Sequence, residues 1–317
     1  MIKWGIIGLG KIALRFIEGL SYCKEGQLYA GASYTKEKRD FFHHQHPQAL
    51  VYTTYDELLN DEQIDAVYIA VPHGLHYEWA QKALLKKKAV LCEKPATLTY
   101  QHTYELCELS RQHHVFFMEA MKTRFIPLID DLKQMLKEGI IGDIVKIETS
   151  FCSDVAYNQK SYLFDAQQGG ALYDVAIYNI ATILDYIHAP IQDVQVHMER
   201  KYHVDVYDYV EVTFETGQKA IIEVAIDRMK DKTMIITGTK GIIRATPFYR
   251  PMEMIVEKEG LQQIYRKSYV YHNDFYGEIH EVHECLQQHC YESARMSHQD
   301  SLKCMALIEK IKESFHD

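Results

Sequence analysis

The first 120 residues alternate strand-like and helix-like segments without a break. KWGIIG is followed by a helical IALRFIEGL, QLYAGASY by a helical stretch from Lys36, DAVYIAVP by HYEWAQKALLKK, and AVLCEKP by YELCELSRQH, before VFFMEAM closes the series. Parallel strands need a crossover between them, and a helix is the usual one, so this order implies a parallel sheet covered on both faces. The runs VYIAV and VFFM are apolar at consecutive positions, as strands buried on both sides require. After Ala120 the pattern changes to period two. DIVKIETSFC, YVEVTFETGQKAIIEVAI and KTMIITGTKGIIRA read as an open, mostly antiparallel sheet. One helix, GGALYDVAIYNIATILDYI, interrupts it, and GEIHEVHECLQQ and DSLKCMALIEKIKE end the chain. The expectation is an α/β chain with a doubly wound domain over residues 1–120 and an α+β domain over residues 121–317.

Composition narrows the classes. With 317 residues, 47% hydrophobic and 25% charged, the chain can bury two cores. A net charge of −9, from 35 Lys+Arg against 44 Asp+Glu, argues against nucleic acid and anionic membranes as partners. The densest basic run, KALLKKK, reads as the solvated end of a helix. Seven cysteines without C-x-x-C spacing make neither a disulfide framework nor a zinc ribbon, and point to a reducing cytoplasm. Lys3 and the glycines interrupt any apolar leader, and no segment approaches the roughly 20 apolar residues of a membrane span.

The first strand runs into GLGKIA. The spacing G-x-G-x-x-A alone is a weak signal, but between the first strand and first helix of an alternating unit it is the place where backbone meets pyrophosphate. Gly8, Leu9, Gly10, Lys11 and Ile12 therefore read as a dinucleotide loop, with Ala13 small for helix–strand packing. A carboxylate about 20 residues on would bind an unphosphorylated ribose. This chain has Ala32-Ser33-Tyr34-Thr35 there, so nothing repels a 2′-phosphate, and Ser33, Lys36 and Arg39 are its candidate receivers. NADP(H) is expected over NAD(H), with Glu37 as the one acid that a shifted loop would bring back.

The third and fourth helix-linked strands end in AVPHGLH and LCEKPAT, at the carboxyl ends where ligands of open sheets collect. Lys94, between Glu93 and Pro95, reads as an ammonium aimed at the crevice rather than a solvated charge. GLGKIA, AVPHGLH, EKP, EAMKTRF and GGALYDVAIYNI together resemble the glucose-fructose oxidoreductase/inositol dehydrogenase (Gfo/Idh/MocA) family, and among its branches the dimeric dihydrodiol dehydrogenases. The resemblance implies an N-terminal Rossmann domain, a C-terminal α/β domain with a large open sheet, and hydride exchange between a nicotinamide and a sugar, polyol or dihydrodiol. It also implies cofactor contacts from Tyr34, from Ala70, Pro72, His73 and His76 of AVPHGLH, and from Glu93 and Lys94. His73 and His76 have capping or packing as the plainer reading.

The same family places a histidine or tyrosine where this chain has Tyr178, which follows Gly169-Gly170 and Asp174. Asp174 and Tyr178, four apart, share one face of a regular helix. Among 23 tyrosines, position alone singles this one out. Oxidising a secondary alcohol requires loss of the hydroxyl proton, and a free tyrosine with pKa of about 10 is a poor base at neutral pH. Lys94 lowers that barrier electrostatically while donating to the substrate oxygen, and Asp174 holds another hydroxyl or orients the lysine.

Three further expectations complete the reading. His43 to His46 in HHQH have no carboxylate or cysteine at ligand spacing, so no metal is expected. Lys122 in EAMKTRF stands where dihydrodiol-type relatives often carry an aromatic residue, which favours a polar or anionic substrate. The long alternating strands leave one sheet face to be covered, which suggests a homo-oligomer, a dimer or tetramer. Two other classes compete: a catalytically silent nucleotide-sensing protein, and a Rossmann methyltransferase. Retention of both Lys94 and Tyr178 argues against the first; EKP and the Gly-Gly-to-Tyr helix argue against the second.

Overall fold

The computed structural model describes residues 1–315, which form two compact units. The first comprises residues 1–122 and 270–302, the second residues 123–269 and 303–315. The sequence reading put the boundary at 120 and assigned everything beyond it to the second domain, whereas residues 270–302 return to the first unit.

In the first unit, strands β1 (Ile2–Ile7), β2 (Gly26–Ala32), β3 (Leu50–Tyr52), β4 (Ala66–Ile69), β5 (Ala89–Glu93) and β6 (Phe117–Ala120) make a six-stranded sheet in the order β3-β2-β1-β4-β5-β6. Every pairing is parallel. The strand order reverses between β1 and β4, the switch point at which open sheets of this kind bind ligands. Helices α1 (Lys11–Ser21), α2 (Lys36–Gln45), α3 (Tyr55–Asn60), α4 (His76–Leu85) and α5 (Tyr100–His113) are the crossovers. β4, β5 and β6 are buried at every position, which is why, apart from the buried Glu93 and Glu119, their sequences are apolar without alternation. α1 buries Ala13, Phe16, Ile17 and Leu20, a helical stripe, and the Phe16 ring stacks on Tyr68 of β4 at 3.8 Å. α3 starts in a capping box between Thr54 and Glu57.

Helix α8 (Tyr276–Gln287) belongs to this unit because β1 and α1 offer it partners. The fully buried Trp4 indole donates to Nε2 of buried His283 at 2.9 Å, and a buried indole N–H needs such an acceptor. Arg15 of α1 pairs with Asp274 just ahead of the helix at 2.6 Å. The basic run is not wholly solvated: Lys88 is buried, and its ammonium donates to the carbonyls of Asp61 and Ile64 at 2.8 and 2.7 Å, at the open end of α3.

The second unit holds α6 (Pro127–Lys137), with proline in its first turn, and an eight-stranded sheet. Its strands are β7 (Ile144–Cys152), β8 (Ile191–Lys201), β9 (Val204–Phe214), β10 (Lys219–Ala225), β11 (Met234–Gly238), β12 (Ile242–Ala245), β13 (Glu253–Lys258) and β14 (Leu261–Arg266). They run in the order β14-β13-β12-β11-β7-β10-β9-β8, antiparallel except for the parallel pair β7–β10. From Tyr207 to Phe214, beyond an irregularity at Val206, buried residues of β9 alternate with half-exposed or exposed ones, as one covered face requires. Helix α7 (Ile177–Tyr186) is buried from Ile177 to Leu184. A wide π-turn, Leu172–Ala176, leads into it without a break, so the stretch expected as one helix is continuous but irregular in its first turns. The last helix, α9, spans His298–Ser314.

Candidate active site

The loop after β1 treats its glycines differently. Gly8 has φ of +92°, and a Cβ there would lie 2.6 Å from the Ala70 carbonyl, so the fold itself requires glycine. A Cβ on Gly10 would meet nothing within 4 Å. Gly10 caps α1, no side chain occupies the cap, and its carbonyl accepts the Leu14 N–H at 3.4 Å. The first-turn N–H groups of α1, from Lys11 to Ala13, thus face an open space that a small residue keeps clear, an arrangement that fits pyrophosphate. Leu9 is buried, Lys11 is exposed and Ile12 half-buried.

At the end of β2, Ser33 is buried and its hydroxyl oxygen accepts the Thr35 N–H at 3.2 Å. Arg39 reaches back from α2 to donate to the Ser33 carbonyl at 2.7 Å. Lys36 is exposed and paired with Asp40 at 2.6 Å, and Tyr34, 57% exposed, leans its ring edge on Tyr55. Ser33, Arg39 and Lys36 are the donors a 2′-phosphate would find at this strand end, and Glu37, also exposed, sits in the first turn of α2. The residues present fit a phosphorylated dinucleotide.

Beyond β4, Pro72 leads into a short turn, His73–Leu75, and the buried His73 ring packs edge-on against His76 at 5.6 Å. His76 is fully buried. Its Nδ1 and Nε2 face the carbonyls of Pro95 and Val71 at 2.7 and 2.9 Å, so the ring ties the AVPHGLH segment to EKP and presents no edge to a ligand. The expected cofactor contact from its side chain is replaced by this strut. Burial holds the imidazole below its ordinary pKa, against the pull of the two carbonyls.

Lys94 is half-buried at the end of β5, with a cis bond to Pro95. Glu93 is buried, receives the Tyr68 hydroxyl, and accepts the Lys94 N–H at 3.3 Å. Behind it lies a charged group that sequence did not reveal. Lys122, 5% exposed, pairs with Asp274 at 3.1 Å and sits 4.5 Å over the Phe275 ring. Its ammonium is therefore taken up inside the first unit, which corrects the expectation that it selects a polar or anionic substrate. Burial pushes the Asp274 carboxyl up, but Lys122 and Arg15 outweigh it and hold that carboxyl below the ordinary range. Glu278 is fully buried, neither oxygen has a hydrogen-bond partner, and burial followed by the charge of Glu93 pushes it well above the ordinary range.

Asp174 and Tyr178 belong to the second unit, and Lys94 to the first. Asp174 lies in the π-turn and Tyr178 in the first turn of α7, so the i, i+4 geometry of a straight helix does not carry across them. Tyr178, 9% exposed, stands in an aromatic cluster with Phe151 at 5.8 Å and Tyr249 at 5.7 Å, and Phe151 stacks on Tyr249 at 4.7 Å. Sequence reasoning missed Phe151 and Tyr249, because an aromatic residue at a strand end or in a turn carries no period that marks it. Among the described residues no group of three His, Cys, Asp or Glu could hold a metal ion, and no helix is long and apolar enough to cross a membrane. All seven cysteines are free thiols.

Comparison with known proteins agrees with this geometry. Residues 2–121 match the oxidoreductase family with NAD-binding Rossmann fold, and residues 129–244 match the GFO/IDH/MocA C-terminal domain. The chain is 27% identical over 325 residues to trans-1,2-dihydrobenzene-1,2-diol dehydrogenase of Sus scrofa, covering 99% of this chain and 96% of that one. The Xenopus laevis enzyme of the same name is 29% identical over 259 residues, covering 80% and 78%. Among solved structures, the 3-ketoreductase KijD10 from Actinomadura kijaniata in complex with NADP and TDP-benzene superposes with a TM-score of 0.90 at 23% identity, covering 99% and 97%. The aldose-aldose oxidoreductase from Caulobacter crescentus complexed with glycerol gives a TM-score of 0.89 at 20% identity, with the same coverage. With both of its domains matched in chain order, this protein belongs to the Gfo/Idh/MocA family of NAD(P)-dependent oxidoreductases.

Proposed function

We propose that the protein is an NADP(H)-preferring dehydrogenase or reductase of a small polyhydroxylated or carbonyl compound, a sugar, polyol or dihydrodiol. The observation that carries the cofactor reading is the uncapped N-terminus of α1 at Gly10, with Arg39 drawn onto a strand end that lacks a carboxylate. The names of the relatives support the substrate class: a diol dehydrogenase, a ketoreductase and an aldose oxidoreductase.

In this reading the loop from Gly8 to Ala13, with Ser33, Lys36 and Arg39, would hold NADP(H), which when bound would supply hydride transfer to or from a carbinol or carbonyl carbon. Tyr178 takes the hydroxyl proton onto its phenolate oxygen in oxidation and gives it back from its O–H in reduction. The Lys94 ammonium favours the phenolate and donates a hydrogen bond to the substrate oxygen as charge develops there. Asp174 holds a second substrate hydroxyl. Phe151 and Tyr249, packed around Tyr178, limit its freedom and exclude water. Screening the purified protein against sugars, polyols, dihydrodiols and dicarbonyls, following absorbance of the reduced cofactor, tests the reading. Turnover with NADP(H) on at least one class supports it; no turnover across the panel, despite tight nucleotide binding, favours a binding protein.

A further inference from the structure

The segment that carries Asp174 and Tyr178 begins at a crowded turn. Gly170 has φ of +99°, and a Cβ there would collide with Oδ1 of Asp205. The other oxygen of Asp205, Oδ2, accepts the Leu172 N–H at 2.6 Å. Leu172 opens the π-turn, where an N–H has no partner within the turn itself, so Asp205 supplies the cap that local sequence does not.

Asp205 reaches that position through an irregularity. In a regular strand, residues three apart point to opposite faces, which would separate Asp205 from Asp208. The register pairs Arg200 with Asp205 and Glu199 with Tyr207, leaving Val206 as an extra residue in β9. Such a bulge re-aims its neighbours, and here it brings the two carboxyl groups together. Asp208 has no solvent exposure. Two carboxylates offer only acceptors, so their contact becomes a hydrogen bond only when one carries a proton. Neither buried Asp208 oxygen has another hydrogen-bond partner, whereas Asp205 already accepts the Leu172 N–H as an anion does, so the proton belongs on Asp208 and the bond runs from it to Asp205; burial, with Asp205 adding to it, pushes Asp208 well above the ordinary range in the same sense. Among the described residues neither acid has an ion-pair partner. Arg200, His203 and Lys312 line, with Asp205, a cavity of about 170 Å³, but Lys312 donates to the Tyr173 hydroxyl at 2.9 Å and Arg200 to the His203 carbonyl at 3.2 Å.

The geometry points to Asp205 and Asp208 as a positioning pair for the reaction: Asp205 fixes the turn that delivers Asp174 and Tyr178, and Asp208 fixes Asp205 by donating a hydrogen bond to it. This inference rests on Tyr178 serving as the acid/base group, and it adds two residues that touch neither substrate nor cofactor. It explains why glycine is needed at 170 in terms of a side chain on a distant strand.

The test is amide hydrogen exchange across residues 170–178 in the full-length protein with NADP⁺ bound, with NADP⁺ titration as a control. Turnover is read in parallel with trans-1,2-dihydrobenzene-1,2-diol or the panel compound that the unmodified protein uses best. Asp205→Ala is expected to speed exchange there by about tenfold and to lower kcat by a similar factor, with KM and NADP⁺ affinity little changed. Asp208→Asn, which keeps a donor of the same shape, should stay within about threefold of the unmodified protein in both readouts, while the isosteric Asp208→Val behaves like Asp205→Ala. Unchanged exchange in folded Asp205→Ala, or equal damage from Asp208→Asn and Asp208→Val, overturns the inference. If Asp205→Ala does not fold, the Asp208 pair of variants decides. Full turnover in Tyr178→Phe instead removes the acid/base reading, and leaves the exchange result to judge the positioning pair by itself.

Discussion

Gly8 and Gly10 stand side by side in one motif and answer to different constraints. A side chain at Gly8 would strike the Ala70 carbonyl, whereas at Gly10 it would enter open space. Gly10→Val should therefore fold with a normal thermal midpoint and lose most of its affinity for NADP⁺, while Gly8→Val should lose stability. Equal cofactor titration by Gly10→Val and the unmodified protein would contradict the assignment of the loop. Cofactor choice is a residue-scale matter as well. Arg39→Ala should weaken NADP(H) by about tenfold or more and leave NAD(H) nearly unchanged, because a charge-assisted bond to phosphate is lost. Ser33→Asp should shift selectivity toward NAD(H), and tighter NAD(H) than NADP(H) binding by the unmodified protein would sink that reading. The places of the loop and of the strand end were legible from sequence because each follows directly on an apolar strand, β1 and β2. Lys122 was not: its position in EAMKTRF shows a cation, but only the fold reveals that Asp274 lies 3.1 Å away and claims it.

At the scale of elements, β–α alternation announced the parallel sheet, and period two announced the antiparallel one. The return of α8 to the first unit left no such mark, since it depends on a Trp4–His283 hydrogen bond and an Arg15–Asp274 pair between residues far apart in the chain. The π-turn before α7 and the bulge in β9 escaped for a related reason: both are irregularities imposed by packing, and sequence period describes only regular structure. The buried charges around α8 make a sharp prediction. Asp274→Asn leaves Lys122 buried without its anion and should destabilise the protein by about 3–5 kcal/mol in chemical denaturation. Glu278 acts in the opposite sense. Its folded pKa lies above the unfolded value, so the folded protein holds the proton more tightly, and stability falls as pH rises above the ordinary glutamate range. Glu278→Gln should remove that penalty, raising the thermal midpoint at neutral pH with a gain that closes as the solution is acidified. A gain that is the same at every pH would contradict the account.

For the whole molecule, one transverse row on the half-exposed face of the eight-stranded sheet runs through Glu211, Ile221, Glu148, Ile235, Arg244, Ile255 and Ile264. Isoleucines interleaved with charges suit a second copy of this chain better than water, and we propose that this face is a subunit contact. Light scattering at micromolar concentration should give a dimer or larger, and Ile235→Lys should shift it toward monomer; a monomer from the outset ends the proposal. The central claim is that Lys94 and Tyr178 serve one proton transfer. The most direct test is the turnover of Lys94→Ala, Tyr178→Phe and the double variant on the best panel substrate, measured across pH with cofactor binding checked separately. Each single change should lower kcat by orders of magnitude with NADP⁺ affinity largely intact, the double variant should be little worse than the poorer single one, and Lys94→Ala should move the limb on which oxidation rises with pH to higher pH. Near-normal turnover by Tyr178→Phe, or losses that simply add, would contradict the account.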